Sequence, residues 1–252
     1  MNMKRRIYII AVVICIGLFS AHLSFAATNA RDYIPMPSGT FLFCTYFKHI
    51  TANSVFSEGQ RVSDDYNFTE NLGIFRPVYY ANLGKALYGD GGLTVDPQAL
   101  ILFGDANIDG AAVGNNQLSS SGIADPILLA TFWFVNDPKN KFWVGFTPYV
   151  TLPLGDYNKG RTFNLGNNRW AFKPELGIVK GLGEKAYLDL VLNGEFYTDN
   201  NDFNTGSAIV KKSQNPIFGI ETHLSYDITK NWYASLDYFY THGGETKVAG
   251  IK

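Results

Sequence analysis

The sequence predicts an all-β protein built as a single antiparallel transmembrane β-barrel, and three observations lead to this fold class. First, apolar and polar side chains alternate through most segments between residues 170 and 241, as in the run Phe172, Lys173, Pro174, Glu175, Leu176. Because successive side chains of a strand point to opposite faces, each such segment has one apolar and one polar face. Second, short and long turns follow each other in alternation, as at the two ends of a membrane barrel. Third, the chain contains 15 Tyr, 19 Phe and 4 Trp, which fits aromatic girdles at two membrane interfaces.

Residues 1–26 have the features of a secretory signal peptide. Lys4, Arg5 and Arg6 precede an apolar run, and Ser24 and Ala26 supply the small residues that a signal peptidase reads. The apolar run of roughly 13 residues is shorter than the ~20 that a spanning helix needs. We therefore expect cleavage after Ala26, export, and a β-barrel domain over residues 27–252.

The composition of the mature chain argues against a disulfide-stabilised protein, a cysteine-based metal site and a nucleic-acid-binding protein. After cleavage one cysteine remains, Cys44, which excludes an intrachain disulfide and a cysteine-based metal site. The formal net charge of the full chain is −1, and there is no basic patch of the kind that binds nucleic acid. We expect no nucleic-acid partner.

Nine strands follow from the alternation and from the turn residues between them. Each is close to the ~9–11 residues that a tilted membrane strand requires. The predicted strands are 39–50, 66–80, 93–104, 123–135, 141–152, 169–180, 186–197, 216–228 and 232–242. The connections 136–140, 181–185 and 229–231 are short, 81–92 is intermediate, and 51–65, 105–122, 153–168 and 198–215 are long and polar. Pro148 and Pro174 lie inside strands, which predicts a local bulge at each.

The energy of burying charge in lipid assigns the two faces. A lysine or arginine on the lipid face at the bilayer midplane costs about 2–4 kcal/mol, so charged side chains are predicted to face the lumen. The predicted lumen-facing residues are Lys173, Glu175, Asp189, Asn193, Glu195, Glu221, His223 and Asp237. On this assignment Leu190→Arg should impair assembly and Val191→Arg should be tolerated.

Two interpretations of the lumen charges and two of the tryptophans remain open. The charges are either paired and solvated, or they give a mild preference for cations and neutral solutes over anions. All four tryptophans, Trp133, Trp143, Trp170 and Trp232, lie near predicted strand ends. This position favours interface girdles, with ordinary core packing as the alternative.

Two clusters of reactive residue types are weak candidates for chemistry. Asp105, Asn107 and Asp109 match the first half of a calcium-binding loop, but Asn116 occupies the position of its final glutamate, which favours a polar turn. His223 and Ser225 share a strand face with Glu221, yet alternation alone produces this set and no nucleophile elbow accompanies it. We expect no metal site, no cofactor and no catalytic residues, and hence no enzyme.

Several blocks resemble a known family. Residues 122–126 (GIADP), 149–157 (YVTLPLGDY), 165–167 (LGN), 225–227 (SYD) and 243–246 (GGET) are similar, in this order, to the MetA-pathway phenol-degradation family of outer-membrane proteins. The resemblance implies an outer-membrane β-barrel that transports aromatic or other hydrophobic compounds, with no catalytic signature. Family members continue for several more strands, and single-chain bacterial barrels use even strand numbers. The resemblance thus predicts about nine of twelve strands here and a C-terminally incomplete barrel.

Together these observations predict a porin-like channel or transporter in the outer membrane of a Gram-negative cell. Its expected solutes are small and hydrophobic or aromatic, and its other partners are outer-membrane lipid and the barrel-assembly machinery. Two alternatives come from other classes of protein. One is a barrel enzyme acting on lipid, and the other is a soluble periplasmic β-sandwich or lipocalin-like binding protein.

Overall fold

A computed structural model of the chain describes residues 28–57, 60–84, 92–114 and 117–251. The predicted signal peptide lies outside these residues. Nine long strands form the framework: β1 (Phe41–Ala52), β4 (Asn67–Tyr79), β6 (Leu93–Asp109), β8 (Ile127–Asp137), β9 (Phe142–Thr151), β10 (Ala171–Leu182), β11 (Ala186–Tyr197), β14 (Ile217–Asp227) and β15 (Tyr233–Gly243). Shorter strands are β2 (Val55–Ser57), β3 (Gln60–Ser63), β5 (Ala81–Leu83), β7 (Leu118–Ile123), β12 (Asn200–Asn204), β13 (Ile209–Gln214) and β16 (Thr246–Val248), and a 3-10 turn covers Ala111–Val113.

The long strands form one antiparallel sheet, called the main sheet below. Its order is β1-β4-β6-β8-β9-β10-β11-β14-β15, with β5 and β7 also paired to β6. This order follows the order along the chain, which confirms the predicted all-β antiparallel barrel fold. A β-sandwich would need two large sheets packed face to face, so that alternative is wrong. Within the described residues, no helix combines the length and apolar character needed to cross a bilayer.

The predicted strands correspond to the nine long strands, but three predicted long loops contain further strands. β6 continues to Asp109, and β7 pairs with its second half, in residues 105–122 that the sequence assigns to a loop. The hairpins β2–β3 and β12–β13 lie in two other predicted loops. These strands are short and polar residues interrupt them, so no apolar alternation marks them. The prediction of irregular loops is wrong there because backbone pairing alone defines the strands.

The two strand prolines lie opposite each other, and the prediction of a bulge at each is wrong. Pro148 of β9 pairs with Pro174 of β10, and the register between these strands is continuous. The ladders from β9 to β8 and from β10 to β11 each skip the proline without a change of register there. Each proline lacks an N–H. The ladder to the next strand, β8 for Pro148 and β11 for Pro174, is therefore interrupted at that position.

The two faces of the main sheet differ in what covers them. Residues 28–40, called the N-terminal segment below, cross one face, which we call the inner face. Large apolar side chains remain exposed on the other face, among them Phe134, Phe172, Leu188, Leu192 and Phe218. A continuous apolar outer surface of this kind is what hydrocarbon contact requires.

The tryptophans divide between two environments. Trp170 and Trp232 are 51% and 57% exposed, in keeping with interface positions. Trp133 and Trp143 are buried in one core cluster with Tyr33, Val78, Tyr80, Val179 and Val191. The girdle interpretation is therefore wrong for Trp133 and Trp143, which pack beneath the N-terminal segment.

The position of Val191 corrects one expectation. Val191 is only 1% exposed and belongs to the cluster that contains Tyr33 and Val179. An arginine there would have to displace packed side chains, not enter water. The expected tolerance of Val191→Arg is wrong, because the inner face at this level is packed by the N-terminal segment.

Candidate solute pathway on the inner face

The N-terminal segment begins at a buried polar cluster on β14 and β15. The backbone N–H and the hydroxyl of Thr28 donate to Oε2 of Glu221 over 2.9 and 2.8 Å. Nε2 of His223 lies 3.2 Å from the same hydroxyl, and its Nδ1 lies 2.8 Å from Oδ1 of Asp237. Glu221 also accepts a 3.1 Å hydrogen bond from Nδ2 of Asn193. The start of the segment is thus bound to β14, whose Glu221 and His223 are in turn bound to β11 and β15.

Arg31 makes a second attachment. Its Nη1 lies 2.7 Å from Oδ1 of Asp227 and its Nε donates to Oγ of Ser225 over 2.8 Å. The guanidinium lies between the rings of Tyr187 and Tyr233, 4.3 and 4.4 Å from their centroids. Its backbone N–H donates to Oδ2 of Asp189. The guanidinium therefore contacts one carboxylate and one hydroxyl of β14 and aromatic rings of β11 and β15, while the backbone of Arg31 binds Asp189.

Tyr33 makes the third attachment, at the centre of the sheet. Its ring lies directly on the backbone of β10, since a Cβ at Gly177 would stand 2.1 Å from Cδ2 of Tyr33. The hydroxyl donates to Oε1 of Glu175 over 3.0 Å and lies 2.9 Å from Oγ1 of Thr147. The carbonyl of Tyr33 accepts a 2.8 Å hydrogen bond from Nε1 of Trp133. Glycine at position 177 is what allows this close approach.

Glu175 is the centre of a buried charge network. It is 0% exposed and pairs through Oε2 with Nζ of Lys173 at 2.8 Å. The hydroxyl of Tyr149 also donates to Oε1 of Glu175 over 3.0 Å. Both tyrosine hydroxyls thus bind Oε1, while Oε2 faces the ammonium of Lys173. Such hydrogen bonds help to offset the cost of burying an ion pair.

The structure groups the predicted lumen residues into three sets. Glu221, His223, Asp237 and Asn193 meet around Thr28, Lys173 and Glu175 meet near Tyr33, and Asp189 binds the backbone at Arg31. Glu195 lies nearby with its own hydrogen bond from Tyr197. Most of these charged groups are buried against the N-terminal segment, so the expectation of solvated charges in a wet interior is wrong.

Sequence reasoning missed Thr28, Arg31 and Tyr33, which hold the N-terminal segment in place. They precede the first strand and belong to no alternating pattern. One signal was present, namely the excess of carboxylates on the predicted inner face, which requires a cation from elsewhere in the chain. Arg31 supplies it.

The His223 and Ser225 pair is not arranged for nucleophilic catalysis. His223 contacts Asp237 and Thr28, whereas the hydroxyl of Ser225 accepts the hydrogen bond from Arg31. Both side chains are 0% exposed. A nucleophile needs a base within hydrogen-bond distance and access for substrate, and neither is found at these two residues.

The weak metal candidate lies on a strand. Asp105, Asn107 and Asp109 belong to β6, and Asp105 Oδ2 accepts hydrogen bonds from Nδ2 of Asn71 and Asn107 over 3.2 and 3.1 Å. Asn116 lies outside the described residues. The part of the chain that the structure describes holds no cluster of three or more His, Cys, Asp or Glu with metal-binding geometry.

A polar cavity of about 110 Å³ lies between the N-terminal segment and strands β1, β4, β6 and β9. Nε of Arg76 donates to Oε1 of Gln98 over 2.6 Å, and Nε2 of Gln98 donates to Oδ2 of Asp96 over 2.8 Å. Tyr46 and Tyr149 also line the cavity. Because its lining is largely polar, a cavity of this size is suited to hold water.

Two aspartates hold the long connection between β9 and β10. Asp125 accepts hydrogen bonds from the backbone N–H groups of Gly155 and Asn167 over 2.9 and 2.6 Å. Oδ2 of Asp156 accepts the N–H of Ile123 over 2.6 Å. Burial raises the pKa of the Asp125 carboxyl, and these hydrogen bonds oppose that shift. Residues 122–126, 149–157 and 165–167 are therefore in contact. This contact explains why these three ranges occur together among the blocks that resemble the family.

The solved structures that this chain resembles include an outer membrane channel. It is the crystal structure of the COG4313 outer membrane channel from Pseudomonas putida F1, with 32% sequence identity and a TM-score of 0.78. The match covers 89% of this chain and 80% of that channel. No curated protein matches the sequence.

A family model matches most of the chain. It spans residues 51–252 and is described as "Putative MetA-pathway of phenol degradation". This range includes every strand of the main sheet after β1, together with the motifs fixed by Asp125 and Asp156. The chain therefore belongs to this family of phenol-degradation pathway proteins.

Proposed function

We propose that the protein is a channel in the outer membrane of a Gram-negative cell and that it passes small hydrophobic or aromatic solutes. The barrel fold and the similarity to an outer membrane channel support the channel itself. The apolar outer face supports the membrane location, since exposed Phe, Leu and Trp side chains are stable in contact with lipid.

One observation supports small solutes above large ones. The N-terminal segment crosses the inner face from β14 to β4, binding Glu221 at one end and the carbonyl of Tyr80 through Gly39 N–H at the other. It leaves a cavity of about 110 Å³, which is small for the hydrated solutes that wide porin lumens admit. A cavity of this size disfavours large hydrated solutes, and the description of the family, a pathway of phenol degradation, supports aromatic ones.

The test uses a probe that an intact outer membrane excludes. Gram-negative cells with and without the protein would be mixed with N-phenyl-1-naphthylamine, an uncharged aromatic dye that fluoresces in membranes. We expect faster uptake in cells that contain the protein, with unchanged leakage of a periplasmic marker enzyme. Equal uptake rates in the two cell types would contradict the proposed solute class.

A further inference from the structure

Two cations lie close together at the end of the sheet that carries the long connections. Arg169 precedes β10, and its Nη2 donates to Oε1 of Gln214 in β13. Lys212 lies two residues before Gln214 on the same strand, so both side chains project from the same face. The guanidinium of Arg169 and the ammonium of Lys212 are therefore neighbours.

Each cation lies against an aromatic ring. The guanidinium of Arg169 lies 4.3 Å from the centroid of Tyr197, and Nζ of Lys212 lies 4.7 Å from the centroid of Phe203. Rings beside a paired cationic centre offer an apolar surface next to a site for negative charge.

Both cations lack a carboxylate partner. Nη1 of Arg169 is buried and has no hydrogen-bond acceptor, and neither side chain forms an ion pair with a residue in the described ranges. Burial lowers the pKa of Arg169, and burial together with the charge of Arg169 lowers the pKa of Lys212. An unpaired buried donor beside a like charge is unfavourable, and an anion would relieve both.

The nearest carboxylates are engaged elsewhere. Asp125 accepts the N–H groups of Gly155 and Asn167, Asp199 pairs with Lys211 at 2.8 Å, and Glu195 is hydrogen-bonded by Tyr197. These groups lie near Arg169 and oppose the lowering of its pKa, but among the described residues none of them forms an ion pair with Arg169 or Lys212. The chain thus provides two cations that can bind an external negative group, and an aromatic ring lies beside each cation.

We propose that Arg169 and Lys212 bind the carboxylate of a hydrophobic aromatic solute, with its ring against Tyr197 and Phe203. A planar guanidinium matches a carboxylate through paired N–H donors. In barrels of this kind the long connections are extracellular, which places the site at the outer entrance. This inference extends the proposed function by naming aromatic carboxylates as a class of solute that the channel captures before passage.

The experiment is a calorimetric titration of the purified full-length protein in non-ionic detergent with sodium benzoate. We expect wild-type protein to bind benzoate at least about tenfold more tightly than benzyl alcohol, its uncharged analogue of similar size. Lys212→Gln should weaken benzoate binding at least about tenfold, and Lys212→Arg should largely retain it. Lys139→Gln is the matched control, because Lys139 is exposed in the short turn between β8 and β9, far from the long connections.

Four results would overturn the inference. They are no benzoate binding by the wild type, equal binding by Lys212→Gln, equal affinity for benzyl alcohol, and tighter binding of inorganic phosphate than of benzoate. The last result would indicate a site for a lipid phosphate group. Dye uptake by cells uses an uncharged probe, so failure of the benzoate titration leaves that result intact, and failure of dye uptake leaves the benzoate site intact.

Discussion

Single buried charges carry a large share of the stability of the inner face. Lys173 and Glu175 are 5% and 0% exposed and form a 2.8 Å ion pair. Glu175→Gln would remove the carboxylate that pairs with the buried ammonium of Lys173, and breaking a buried ion pair costs about 3–5 kcal/mol. We expect a marked drop in the urea concentration at which the detergent-solubilised protein unfolds.

The matched control for Glu175→Gln is Asp199→Asn. Asp199 also forms a 2.8 Å pair, with Lys211, but the two side chains are 37% and 58% exposed. Exposed pairs contribute about 0–1 kcal/mol. Equal destabilisation by the two substitutions would show that burial does not determine how much an ion pair contributes to the free energy of unfolding.

A single glycine decides whether Tyr33 can contact β10. A Cβ at position 177 would stand 2.1 Å from the ring of Tyr33, so Gly177→Ala should displace the N-terminal segment at a cost of ~1–3 kcal/mol. We expect trypsin to cleave after Arg31 in this variant and not in the wild type. Gly194→Ala is the control, since its Cβ would lie 3.3 Å from Phe218, and cleavage of both variants at the same rate would contradict the proposed contact.

At the scale of elements, alternation predicts strands well where one face is apolar. Strand β11 spans Ala186–Tyr197 as predicted, because Leu188, Leu190 and Leu192 mark one face throughout. Strand β7 was missed, because its sequence, LSSSGI, offers no apolar alternation, and only its pairing to β6 defines it. The Pro148–Pro174 pair was also unpredictable, since the sequence cannot show that two prolines lie opposite each other.

The connection between β9 and β10 depends on Asp125. Asp125→Ala would remove the acceptor for the N–H groups of Gly155 and Asn167. Hydrogen bonds to a charged group contribute about 1.5–3 kcal/mol each, so exchange of these two amides should accelerate by at least about tenfold. Hydrogen exchange followed by mass spectrometry would measure this, with Asp202→Ala as the control because Asp202 bonds through its backbone. Unchanged exchange over residues 153–168 in Asp125→Ala would contradict this role.

For the whole molecule, the strands of the main sheet could be predicted from the sequence. The N-terminal segment that covers the inner face of this sheet could not. Strand order follows from short turns and alternation, which are local properties. The contacts of Thr28 with Glu221 and of Tyr33 with Glu175 join residues 193 and 142 positions apart. No periodicity encodes such contacts, so the face assignment located the charged side chains without revealing what they bind.

Release of the N-terminal segment should change the permeability of the molecule. Arg31→Ala removes the ion pair with Asp227, the hydrogen bond to Ser225 and the stacking between two tyrosines. We expect larger and more variable ionic currents through reconstituted protein than in the wild type. Arg161→Ala, at an exposed loop residue, should leave the currents unchanged, and identical currents in all three proteins would show that the segment does not restrict ion flow.

The most direct test of a channel for small hydrophobic solutes compares two fluxes through one preparation. Vesicles with lipopolysaccharide in their outer leaflet would carry the wild-type protein, and entry of radiolabelled toluene and of arabinose would be timed against protein-free vesicles. We expect the protein to accelerate toluene entry and to leave arabinose entry near the protein-free rate. Acceleration of arabinose to the same degree as toluene would contradict the account and indicate a general pore.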